Sequence, residues 1–126
     1  METDFKGIVK EFGVFIVKKL SITKPFKIEL TNSREGLKTY AYYNPQTGLV
    51  RVYKGNRAIG DILRSMAHEL IHHHQNQNGR LINDPKNPIP DIGGEIEDEA
   101  NAKAGQLVKE FGYSFRDKSG KSIYEQ

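Results

Sequence analysis

Three stretches of this chain repeat apolar residues at helical spacing, and between the first two lies a stretch that alternates instead. Phe5, Ile8, Val9, Phe12, Phe15, Ile16 and Leu20 recur every three or four positions, with Lys6, Lys10, Glu11, Lys18 and Lys19 opposite them. That pattern predicts an amphipathic helix from Asp4 to about Leu20, closed off by Pro25. Covering one face of a sheet is the expected use of such a helix, and lying on a membrane surface the lesser one. Strands are then expected over Phe26 to Leu30, Thr39 to Tyr43 and Leu49 to Lys54; the last puts Val50, Val52 and Lys54 on one side and Leu49, Arg51 and Tyr53 on the other. Asn44-Pro45-Gln46-Thr47-Gly48 has the proline and glycine of a tight hairpin connection. A small three-stranded antiparallel meander is the expected sheet, with its strand order left open.

The second helical stretch holds Ile62, Leu63, Met66, Ala67, Leu70 and Ile71 and is expected to start near Gly60-Asp61, with Asp61 as N-cap. It should stop at Asn78-Gly79, where Gly79 suits the left-handed position after a helix. Residues 80 to 94, with Pro85, Pro88, Pro90, Gly93 and Gly94, show no period and read as a loop at the rim of any cleft between the flanking helices. The third stretch runs from about Gly94 to Phe111 on the stripe Ile96, Ala100, Ala104, Leu107, Val108 and Phe111, and the polar tail 113–126 is expected to pack loosely. The expected class is α+β, built as one domain over residues 1–126.

Composition narrows the chemistry. With no cysteine among 126 residues there is neither a disulfide framework nor a thiolate ligand, so any metal must be held by histidine and carboxylate. No apolar run reaches membrane-spanning length and Met1-Glu2-Thr3-Asp4 lacks a secretory pattern, which makes a cytoplasmic location the expectation. The net charge of +3 is mild, and Lys24, Lys27, Lys38, Arg51, Lys54, Arg57 and Arg64 are interspersed with apolar residues. Such spacing describes solvated faces more than a nucleic-acid footprint.

Within the second helix, His68-Glu69-Leu70-Ile71-His72 spells H-E-x-x-H. Residues four apart on a helix differ by about 40° around its axis, so His68 and His72 can aim two imidazole nitrogens at one ion. Glu69 lies about 100° further round, placed as a base for a water and not as a ligand. Leu70 and Ile71 are apolar, as a buried motif helix requires. Zinc is the expected metal. His73 reads as a solvated neighbour and His74, in register with Leu70 and Ala67, as a partly buried one.

The third helix opens Glu95-Ile96-Glu97-Asp98-Glu99, and acids there can simply complement the helix dipole. On a helical wheel, however, Glu97 falls about 55° from the centre of the buried stripe and Glu99 about 105° away. Glu97 is therefore the acid aimed nearest the interior, where it needs a cation, and Glu99 is the second choice. Asn101, one turn after Glu97, is placed to orient it or to brace a ligand histidine.

These residues resemble the HExxH zinc peptidases whose third ligand is a glutamate on a later helix, and within them the small ImmA/IrrE-like metallopeptidase domain. The resemblance lies in His68-Glu69-Leu70-Ile71-His72 and in Ile96-Glu97-Asp98-Glu99-Ala100-Asn101-Ala102-Lys103-Ala104-Gly105-Gln106-Leu107-Val108, similar to that family's I-E-x-x-A-N-x-x-A-x-x-L-L helix. It implies a minimal zincin-like fold and the ligand set His68, His72 and Glu97 for Zn²⁺. It also implies a water-activating role for Glu69 and a peptide or protein substrate.

On this reading Glu69 accepts the water's proton during attack on a peptide carbonyl and returns it to the leaving amine. Tyr42, Tyr43, Tyr53, His73, Tyr113 and Arg116 are candidates to stabilise the carbonyl oxygen. A catalytically silent zinc-binding module and a nucleic-acid-associated protein are the competing classes.

Overall fold

The computed structural model describes residues 5–33, 40–79 and 95–114. Six elements follow one another: α1 (Phe5–Leu20), β1 (Lys27–Thr31), β2 (Ala41–Asn44), β3 (Leu49–Tyr53), α2 (Ile59–Gln77) and α3 (Glu95–Ser114). The expected 80–94 loop, Arg116 and the tail after residue 114 lie outside the described residues, as does the side chain of Tyr113.

The sheet is mixed, which corrects the antiparallel meander. Its order is β1-β3-β2: β2 and β3 form the expected antiparallel hairpin, with Tyr43 opposite Val50, but β1 runs parallel to β3, with Ile28 opposite Val50. Alternation assigns each side chain to a face and says nothing about which strand lies beside which. Burial supplies the reason for the observed order. Val50 and Val52 are fully buried, so β3 takes the centre, while β1 and β2, with Lys27, Glu29 and Tyr42 among their residues, become the two edges.

The core is centred on α2. Its Leu63, Met66, Leu70 and Ile71 are fully buried beside Phe12 and Ile16 of α1, Val50 and Val52 of β3, and Ala100 and Ala104 of α3. The helix expected to cover the sheet is therefore a different one: α2 lies on the sheet, and α1 packs against α2 and α3. Phe12 and Phe111 join α1 to α3 edge to face, 5.0 Å between ring centres. Among the described residues no helix is long and apolar enough to cross a membrane.

Helix α2 begins two residues before the expected cap. Ala58 occupies the N-cap with no side-chain hydrogen bond, and Asp61 sits inside the first turn, where its charge complements the helix dipole. Burial of Ile59 draws the start forward, and Arg57 secures it by donating to the carbonyls of Tyr53 and Asp61 and to Ser65 Oγ. At the other end Asn78 caps the helix and Gly79, φ +74°, takes the left-handed position as expected.

The last turns of α2 clamp three other segments. Gln77 Oε1 accepts the amides of Thr23 and Lys24 while its Nε2 donates to the Ser21 carbonyl, fastening the α1–β1 connection. Asn76 Nδ2 donates to the Pro45 carbonyl and to the Tyr43 hydroxyl, fastening the β2–β3 turn. Gln75 reaches α3.

That β2–β3 turn depends on Gly48. Its φ is +76°, and a Cβ there would meet the Pro25 carbonyl oxygen at 2.7 Å. Gly79 has nearly the same φ with open space around it. Gly48→Ala is therefore expected to destabilise by about 2–4 kcal/mol, left-handed strain plus a backbone clash, against about 1 kcal/mol for Gly79→Ala. Urea unfolding of the two variants checks this, and equal losses would remove the clash from the account.

Candidate metal centre

His68 and His72 lie one turn apart on α2, on the face that meets α3, and Glu97 comes from the first turn of α3. Their donor atoms converge. His72 Nε2 is 2.7 Å from Glu97 Oε1 and 3.2 Å from His68 Nε2, and His68 Nε2 is 3.2 Å from Glu97 Oε2. The Glu97 side chain is only 12 % exposed and that of His72 only 4 %. Two imidazole lone pairs and a carboxylate so close together repel unless something positively charged, a proton or a metal ion, lies among them.

The trio fits a divalent metal of borderline softness. All three candidate donor atoms lie within 4.8 Å of one another, and the His-His-carboxylate set suits zinc. Bonds of about 2.0–2.1 Å to a tetrahedral zinc put donors about 3.3 Å apart, close to the two 3.2 Å separations found here, while the 2.7 Å His72–Glu97 pair is closer and would have to open. Burial pushes the His68 imidazole below the usual histidine pKa and the neighbouring His72 lowers it further, while Glu97 and a hydrogen bond with Asn101 act the other way. The net direction favours the neutral ring, the form that binds metals. Asn101 therefore acts on His68, in line with the second of the two roles its position allowed.

The structure separates the two acids considered for this site. Glu97 faces both imidazoles; Glu99 instead accepts from Gln75 Nε2 at 3.1 Å and lies 3.7 Å from Lys103 Nζ. Glu69 is outside the trio. Its charge is felt at Tyr43, whose phenol is raised above its ordinary pKa mainly by burial and further by Glu69, against a lowering by Asn76.

His73 is fully buried, not solvated. Its Nε2 donates to the Lys24 carbonyl at 2.8 Å, which leaves Nδ1 to accept from the Tyr43 hydroxyl at 2.7 Å. A polar residue next to the motif read as surface; here the sheet and the α1–β1 connection cover it. His74 is partly buried, as expected, and lies 3.1 Å from Asn78 Nδ2. Tyr43 is thus engaged by His73 and Asn76, and Tyr42 and Tyr53 share the sheet face turned away from the buried Val50 and Val52. The same outer face carries Arg51, which pairs with Glu29 at 3.2 Å.

Gln75 was missed by sequence reasoning. Its only signal was a spacing of three from His72, shared by many residues on any helix. Comparison of the chain with protein-family models, with curated proteins and with solved structures finds no match.

Proposed function

We propose that the chain is a zinc-dependent metallopeptidase, a single minimal zincin-like domain of the ImmA/IrrE-like kind, hydrolysing peptide bonds in peptide or protein substrates. The observation that carries this reading is the meeting of His68, His72 and Glu97 from two helices, with Glu69 beside His68 yet outside the trio. His68, His72 and Glu97 would hold the zinc. When bound there, the metal supplies a Lewis acid that acidifies a water and polarises a carbonyl.

The remaining chemistry belongs to the chain itself. Glu69 takes the proton from the attacking water and carries it to the leaving amine, as a carboxylate within reach of both can do. Asn101 holds the His68 ring against rotation. Among the described residues β2 is an edge strand whose Tyr43 senses the Glu69 charge, and an edge strand can pair with an extended peptide.

Metal analysis of the purified chain combined with cleavage of an unstructured peptide library tests this. About one zinc per chain is expected, with hydrolysis that stops on chelation and returns with added zinc. Stoichiometric zinc without cleavage of any library member would leave a silent zinc-binding module, and absence of metal uptake would remove the reading.

A further inference from the structure

We propose that Gln75 is a positioning residue: its carboxamide, oriented by α3, fixes which ring nitrogen of His72 faces the trio. Gln75 is fully buried and one turn after His72 on α2. Its Nε2 lies 3.2 Å from the Ile96 carbonyl oxygen and 3.1 Å from Glu99 Oε1. Both neighbours are acceptors only, so they settle the amide's orientation, with the NH₂ group toward α3 and the oxygen toward His72.

That oxygen is 2.8 Å from His72 Nδ1. An amide oxygen cannot donate, so the proton between them belongs to Nδ1. In a neutral imidazole the other nitrogen then carries the lone pair. The other nitrogen is Nε2, the atom 2.7 Å from Glu97 and 3.2 Å from His68. Gln75 thereby presents a lone pair to the place where the three side chains converge and opposes rotation of the ring. Glu99 gains a role distinct from ligation: it holds the amide that holds the ring. Lys103, 3.7 Å from Glu99, steadies that acid from the solvent side.

The ring assignment rests on hydrogen-bond directions alone; its bearing on metal affinity rests on the metallopeptidase reading. Ring ¹H–¹⁵N correlation spectra of the chelator-treated wild-type chain, taken above pH 8, test the assignment directly. His72 is expected with a proton on Nδ1, and an Nδ1 that carries none overturns the proposal. In Gln75→Leu the Nδ1–H signature should disappear and zinc affinity should fall roughly 10–100-fold; a Leu variant that folds and keeps the signature also overturns it. Should that variant not fold, the paired exchange Gln75→Glu with Glu99→Gln restores an acceptor toward His72 and a donor on α3. It should keep the Nδ1 proton although the Ile96 carbonyl loses its donor, and loss of the Nδ1 proton in a folded double variant counts against the role. If the wild type takes up no zinc while showing the Nδ1 proton, the function fails and the ring assignment stands.

Discussion

Glu97→Ala is expected to lower zinc affinity by two to three powers of ten. Structural zinc sites with four ligands bind with about 10–16 kcal/mol, or roughly 2.5–4 kcal/mol for each ligand, which sets the scale of the loss. Among the described residues, the neighbouring acid Glu99 is not placed to take over. Glu99 already accepts from Gln75 and lies beside Lys103, so moving it to the imidazoles would break both interactions. Glu99→Ala should therefore cost at most the roughly 10–100-fold of a residue acting through a ligand's partner. Competition titration against a coloured chelator separates the two variants. Equal affinities in the two variants would strike Glu97 from the ligand set.

Glu69→Gln is expected to reduce peptide hydrolysis by roughly 10²–10⁴-fold with zinc content unchanged. Glutamine keeps the shape and the outer oxygen of glutamate but cannot accept a proton at neutral pH. A second readout does not depend on turnover. The Glu69 charge raises the Tyr43 phenol, so the neutral amide should let that pKa move down while burial still holds it above the ordinary tyrosine value. Ultraviolet titration of the phenolate follows it. A lowered phenol pKa with cleavage intact would place Glu69 beside the site without making it the base.

The helices were legible because their apolar stripes are long and regular. The boundaries of α1, α2 and α3 fall within a few residues of the expected ones, and the strands within one or two. Helical geometry also ranked Glu97 ahead of Glu99 as the acid turned inward, and the structure brings Glu97 to His68 and His72. What stayed hidden was adjacency. The faces of β1 are fixed by its alternation, but its parallel seat beside β3 depends on which strand is most apolar overall. Likewise the stripe of α1 records that it has a partner and not that the partner is another helix. Buried polar residues were the hardest. His73 read as solvated, and nothing marked Gln75 and Asn76 as buried, because a satisfied interior amide and an exposed one look alike in a sequence.

Helix α2 packs against the sheet, α1 and α3, with Asp61 and Arg64 left exposed. A peptide copied from it would carry both motif imidazoles yet have neither the carboxylate supplied by α3 nor the surroundings that hold the rings still. On the proposed metal reading, ion capture would belong to the folded chain and vanish on unfolding, so by mass action the ion would itself stabilise the fold. Scarcity of that ion would leave the same polypeptide nearer its melting point, coupling the lifetime of the molecule to the supply of a nutrient.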